Sequence, residues 1–156
     1  MREIVLYPHP ILREICTPFD LHNPEHVALA EDLLQLVGPD FGRGLAAPQL
    51  GLAISACATC FHPAPPTLYL NPKITHFGDE TVVLPEGCRS MPGIIVDVER
   101  PKTITIEATD LDGNPFTHHL DAWESRVTQH EYDHLSGILN IDRIPENERQ
   151  KLEIPL

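Results

Sequence analysis

No apolar run in this chain approaches the roughly 20 residues that cross a bilayer, and the N-terminus has the layout of neither a secretory signal nor a transit peptide. These absences predict a protein without membrane association, in a reducing, cytoplasmic compartment. Basic residues are also scarce. Eleven Lys and Arg stand against 23 Asp and Glu, for a net charge of −12, and no run of Lys or Arg occurs. Such a surface repels phosphate backbones, so stable nucleic-acid binding is not expected. Internal repeats and low-complexity linkers are missing too, and 156 residues read as one domain, 1–156, long enough to bury a core.

Cysteines number four: Cys16, Cys57, Cys60 and Cys88. Without a signal peptide, and in a chain that is not short, they do not read as a disulfide framework. Cys57 and Cys60 form a C-x-x-C, a spacing shared by redox pairs and half zinc sites. They lie in Ile54–Phe61, however, which reads as a buried strand, and core packing is the expectation. What the chain has in quantity is proline. Sixteen of them predict extended segments and turns and argue against an all-helical bundle.

Elements follow from patterning. Ile4–Tyr7 is extended up to Pro8. Asn23-Pro24 predicts a helix start, with Asn as cap, and Val27, Ala30, Leu33, Leu34 and Val37 follow at helical spacing to Gly38-Pro39. A glycine-bearing loop covers 42–49. Short strands are expected around Leu68–Leu70, at Ile74 and over Thr81–Leu84, separated by Asn-Pro and Gly-Asp turns. Ile94, Val96 and Val98 alternate, as do Ile104, Ile106 and Ala108, and Asp112-Gly113 turns the chain into a strand over Phe116–Leu120. Asp121 is placed to cap a helix from Ala122 to Leu135 that Gly137 ends, and a strand is expected over Ile138–Ile141. The fold class is α+β, with mixed or antiparallel sheets around a central helix.

That helix carries His130-Glu131-Tyr132-Asp133-His134, an H-E-x-x-H pattern. Random placement of this composition would produce roughly 0.04 such patterns, so chance explains it poorly. Histidines four apart face one side of a helix and can hold one metal ion, while the glutamate can move a proton to or from a metal-bound water. A catalytic site of this kind needs a third protein ligand. Residues 135–145 contain no histidine, which removes the pattern with a third histidine downstream. Cys88, Glu86, His118 and His119 are the candidates. Cys88 leads, because it stands among glycines and its thiolate would be a strong ligand.

Three segments together resemble the peptide deformylases: Gly42-Arg43-Gly44-Leu45-Ala46-Ala47-Pro48-Gln49, Glu86-Gly87-Cys88-Arg89-Ser90 and Gln129-His130-Glu131-Tyr132-Asp133-His134-Leu135. Their order matches, and the resemblance runs on through Tyr7–Arg13, Leu70-Asn71-Pro72 and Leu111-Asp112-Gly113. It implies removal of the formyl group from N-formyl-methionyl nascent peptides by a bacterial- or phage-type enzyme using a metal-bound hydroxide. It further implies Cys88, His130 and His134 as metal ligands and Glu131 as general acid/base. Gln49 and the backbone N–H of Arg89 become oxyanion donors, and Gly44 lines the substrate site. Fe²⁺ is the implied cellular ion, with Zn²⁺, Ni²⁺ or Co²⁺ accepted by the thiolate-containing set. A monomer in transient proximity to the ribosome is expected. Rival expectations are a deformylase-like amidase on another N-acyl substrate and a catalytically silent formyl-peptide or metal binder.

The chain departs from the family pattern in places. Arg89 stands where leucine is most usual, and its charge is expected to act at the groove rim, favouring acidic residues beyond the methionine. Trp123-Glu124-Ser125-Arg126 is bulkier and more polar than usual, with Trp123 expected in the core. Arg126 and Asp133 are read either as residues that orient the ligands or as a surface pair. Glu146–Leu152 has room for about two helical turns, which leaves little for docking on a ribosome through a C-terminal helix.

Overall fold

A computed structural model describes residues 2–40 and 42–152 of the chain. Helix α1 (Pro24–Gln35) starts as its sequence predicts: Asn23 Oδ1 accepts from the backbone N–H groups of Glu25 and His26 at 2.9 and 3.4 Å. Its inward residues Leu29 and Leu33 are fully buried, each contributing about 2 kcal/mol of hydrophobic stabilisation.

Strands β1 (Gly44–Ala46), β2 (Ala56–Thr59), β3 (Thr67–Phe77), β6 (Thr103–Thr109) and β7 (Pro115–Asp121) form one antiparallel sheet in the order β1-β2-β3-β6-β7. Strands β4 (Thr81–Cys88) and β5 (Met91–Pro101) form a separate antiparallel hairpin. Helix α2 (Ala122–His134) and a single turn, α3 (Glu146–Arg149), follow. The larger sheet is covered on both faces. Ala56, Ala58 and Leu70 pack with Leu29 and Leu33 of α1, whereas Cys57, Tyr69 and Ile106 pack with Leu135 at the end of α2. That is why β2 is buried along its whole length rather than at alternate residues. Cys57 and Cys60 fall in different clusters, both buried and free, as core packing requires. A third cluster, with Leu12, Val96, Val98, Leu139 and Ile141, seats the hairpin on the 3₁₀ turn over Pro10–Arg13 and the segment leading into Asn140–Arg143.

Four expectations are corrected. Asn71-Pro72 does not separate two strands; β3 runs through it with a bulge between Leu70 and Lys73. Asn71 takes φ +49, and its side chain accepts from Phe19 N at 2.8 Å and donates to Phe19 O at 3.1 Å, so the irregular residue is satisfied locally. Residues 138–141 form no strand. Asp142 Oδ2 accepts from Leu139 N at 2.8 Å and bends the chain into a 3₁₀ turn over Asn140–Arg143. The C-terminal helix is one turn rather than two among the described residues.

Asp121 precedes α2 but its side chain makes no cap bond. Instead Ala122 adopts φ +51 and donates its N–H to Lys102 O at 3.0 Å. An L-residue with a Cβ is strained there by about 1–2 kcal/mol. Ala122→Gly is therefore expected to stabilise the protein by about 1 kcal/mol after the entropy cost of glycine, a rise in Tm of about 2–4 °C by calorimetry.

Candidate metal centre

Residues two apart on a strand share a face. Glu86 and Cys88, at the end of β4, therefore both turn toward α2. The hairpin continues through this segment, with Arg89 and Ser90 as its turn between Cys88 and Met91. On α2, His130 and His134 lie one turn apart and meet the cysteine. Cys88 Sγ is 3.5 Å from His134 Nε2, and one ligand atom from each of Cys88, His130 and His134 lies within 4.8 Å of the others. Tetrahedral arms of about 2.0 Å to nitrogen and 2.3 Å to sulfur would set such edges at about 3.5 Å. The donor set and its spacing fit a divalent metal. Of the remaining candidates, His118 faces Tyr69 Oη at 3.1 Å and His119 faces Thr105 Oγ1 at 3.0 Å, both on the larger sheet.

Glu86 lies outside that cluster but holds one of its members. Its Oε1 is 3.0 Å from His130 Nδ1, which leaves Nε2 of that ring available to a metal. The same carboxylate accepts from Arg100 Nε and Nη2 at 2.6 and 3.0 Å and from Arg126 Nη1 at 2.6 Å. Arg100 also donates to Asp133 Oδ2 at 2.9 Å, and Asp133 accepts from Arg143 Nη2 at 2.8 Å. Arg126 and Asp133 are thus both buried in one network, not a surface pair. Burial would raise the Glu86 carboxyl, but hydrogen bonds from His130 and Arg100 and the charge of Arg100 hold it down at about 2. Arg100 was not singled out by the sequence reasoning. The signal lies in the alternation of β5: Arg100 continues the inward series Ile94, Val96, Val98, where a charge needs a buried partner.

Glu131 is 4% exposed, and its Oε1 has no hydrogen-bond partner among the described residues. Burial pushes its carboxyl up to about 7, partly offset by the neighbouring His130. Gly44 leaves it room: a Cβ at that position would lie 2.8 Å from Glu131 Cγ and 2.9 Å from Cδ. Gln49 is equally constrained. Its Oε1 accepts from Ala46 N at 3.0 Å, which turns Nε2 toward Ser90 Oγ at 3.1 Å and Cys88 Sγ at 3.7 Å. The N-terminal segment braces both edges, with Val5 N donating to Gln49 O and Tyr7 N to Ser90 O.

These groups line a cavity of about 370 Å³ that also includes Arg89, Trp123 and Val127. Arg89 is half-buried rather than freely solvated: its Nη1 donates to Leu36 O at 2.7 Å, at the carboxyl end of α1, where the helix has no basic residue of its own. Trp123 is not in the core. It is 42% exposed and forms cavity wall.

Over residues 1–150 the chain matches the family described as polypeptide deformylase. It is 37% identical over 148 residues to peptide deformylase 1B, chloroplastic/mitochondrial, of Arabidopsis thaliana, covering 91% of this chain and 54% of that protein, about half its length. With the peptide deformylase of Pseudothermotoga lettingae it shares 33% over 149 residues, covering 96% of this chain and 86% of the relative. The crystal structure of peptide deformylase from Thermotoga maritima superposes with a TM-score of 0.86 at 34% identity, over 93% of this chain and 98% of that one. Matched by the family over residues 1–150 and sharing its fold with the Thermotoga maritima enzyme, the chain belongs to the peptide deformylase family.

Proposed function

We propose that this protein, as a single catalytic domain over 1–156, removes the N-formyl group from the formyl-methionine of newly made polypeptides. The observation that carries the reading is the cluster of Cys88, His130 and His134 beside the buried carboxylate of Glu131, whose Oε1 has no hydrogen-bond partner among the described residues, with Cys88, His130 and Glu131 lining one cavity. A divalent cation held by those three residues would supply Lewis acidity and a water acidified to a pKa of about 7. Glu131 takes a proton at its carboxylate and later passes it to the leaving amine. Its raised pKa suits a group that must do both. Gln49 Nε2 and the backbone N–H of Arg89 donate to the oxyanion that develops as the amide carbon becomes tetrahedral. A donor of this kind contributes about 3 kcal/mol. The backbone of Gly44 and the side chain of Arg89 line the peptide path.

The thiolate makes the set acceptable to iron, zinc, nickel or cobalt, and Fe²⁺ is the proposed cellular ion. The protein is proposed to act as a cytoplasmic monomer of bacterial or phage type that meets its substrates near the ribosome. No described helix is long and apolar enough to cross a membrane. Protein purified without oxygen is expected to contain about one metal ion per chain and to turn over formyl-Met-Ala-Ser, with activity lost to a chelator and restored by Fe²⁺. A metal-replete protein that leaves this peptide intact would overturn the reading in favour of another N-acyl substrate or a silent binder.

A further inference from the structure

Arginine in this protein is almost always matched with an acid. Arg2, Arg13, Arg100, Arg126, Arg143 and Arg149 are each ion-paired with Asp or Glu. Arg43 and Arg89 have no carboxylate partner among the described residues, although the chain carries a net charge of −12. Both line the catalytic cavity.

Each guanidinium is oriented without being neutralised. Arg89 leaves the hairpin turn beside Cys88 and reaches the opposite rim. Its Cδ lies 3.1 Å from where a Cβ on Gly42 would stand, and Nη1 donates to Leu36 O at 2.7 Å. Arg43 follows Gly42. Its backbone is fixed by Cys60 N, which donates to Arg43 O at 2.7 Å, and its guanidinium carbon is 5.9 Å from the centroid of the Phe61 ring. A carbonyl and a ring face supply no counter-charge, and both arrangements leave N–H donors for a further acceptor. The other charged side chains of the cavity wall, Glu86, Arg126 and Glu131, are buried, whereas Arg43 is exposed and Arg89 half-buried. The outer part of the wall thus carries charge of one sign.

In the formyl-peptide reading the reacting carbon lies against Cys88, Gln49 and Glu131. Arg89 directly follows Cys88, and an extended peptide advances only about 3.4 Å per residue. The first residues after the methionine therefore stay within reach of this rim. Resting on that reading, we infer that Arg43 and Arg89 form a carboxylate-recognising rim, which selects formyl-methionyl peptides carrying an acidic group one or two residues beyond the methionine. The acid accepts the charge-assisted hydrogen bonds that the protein itself leaves unmade. Net charge works against this preference, because a surface of −12 repels an acidic peptide. Selection of acid is therefore the signature of local pairing.

The test compares amidated formyl-Met-Asp-Ser, formyl-Met-Asn-Ser and formyl-Met-Lys-Ser on the metal-loaded enzyme, with a second series that varies the third residue. At low salt the Asp peptide is expected to exceed the Asn peptide about tenfold in kcat/KM in at least one series, the scale of a hydrogen bond to a charged group. The Lys peptide is expected to fall below both, and the ratio to shrink as salt is added. Arg43→Met and Arg89→Met should each lower the Asp-to-Asn ratio, and together bring it to about one, whatever becomes of the absolute rates. Arg43→Lys, which keeps the charge, should retain most of it. Formyl-Met-Ala-Ser with a free and with an amidated C-terminus separates the two sources of a carboxylate: a gain confined to the free acid assigns the rim to a chain end, and a gain for amidated Asp peptides assigns it to a side chain. A ratio near one in both series with no gain for the free acid, or a ratio that survives the double variant, would overturn the inference. The same peptides titrated calorimetrically onto metal-loaded Glu131→Gln read the preference without turnover. Tighter binding of the Asp peptide there supports the rim even if the parent enzyme cleaves none of them, whereas binding without preference, or no binding, overturns it.

Discussion

Glu131→Ala is expected to retain the bound metal and to lower kcat on formyl-Met-Ala-Ser about a thousandfold, within the range for loss of a general acid/base. The metal is expected to stay because the proposed ligands are Cys88, His130 and His134, and because Glu86, not Glu131, orients His130. The loss is expected to be large because no second carboxylate stands ready: Glu86 is occupied by His130, Arg100 and Arg126, and Asp133 by Arg100 and Arg143. Glu131→Gln is the sharper variant. It keeps the shape that fits against Gly44, where even a Cβ would crowd the side chain, and removes only the basicity. Metal analysis alongside turnover checks both halves; retained turnover, or loss of metal in step with activity, would remove the proton-transfer role.

Glu86→Gln should produce the largest change in stability, a loss of about 3 kcal/mol at neutral pH. Glu86 is 6% exposed and neutralises two buried guanidinium groups, Arg100 and Arg126, each 4% exposed. Removing one side of a buried ion pair leaves the partner charge uncompensated at a cost of about 3–5 kcal/mol, and Asp133 still serves Arg100, which places the figure at the lower end. The pH dependence points the same way. The folded carboxyl sits at about 2 against an ordinary 4.5. A depressed acid contributes stability that is present above its unfolded value and is lost as pH falls through the folded one. The contribution is about 3 kcal/mol and disappears between about pH 4.5 and 2. Denaturant unfolding across that window should show a descending limb in the parent that is flatter in Glu86→Gln. The variant should also bind metal more weakly, since His130 loses the acceptor that orients its ring.

Much of the site could be read without coordinates because its components are local. His130 and His134 are four apart on a helix, and a helix places such residues on one face whatever surrounds it. The Asn23-Pro24 start of α1 and the Asp112-Gly113 turn between β6 and β7 are likewise local chemistry, and both occur as expected. The corrected expectations involve contacts between distant parts of the chain. Asn71-Pro72 reads as a break, yet Phe19, 52 residues away, satisfies Asn71 and lets β3 continue. Trp123 reads as core by composition, yet it is half-exposed in a cavity wall.

By itself, then, the sequence determined the α+β class and the helix with its two histidines and glutamate, and three ordered segments carried the resemblance to the family. Periodicity carries the elements, because it depends on neighbours a few residues apart, whereas the family rests on the motifs and their order. Tertiary structure alone decided that Glu86 hydrogen-bonds His130 from outside the Cys88, His130 and His134 cluster and that Arg100 and Arg126 are buried against it. It also decided that Trp123 stands in a cavity wall. Those outcomes turn on which side chains, tens of residues apart, are excluded from water together. A buried charge must find its counter-charge there, while an aromatic ring outside the core is left half-exposed at the wall.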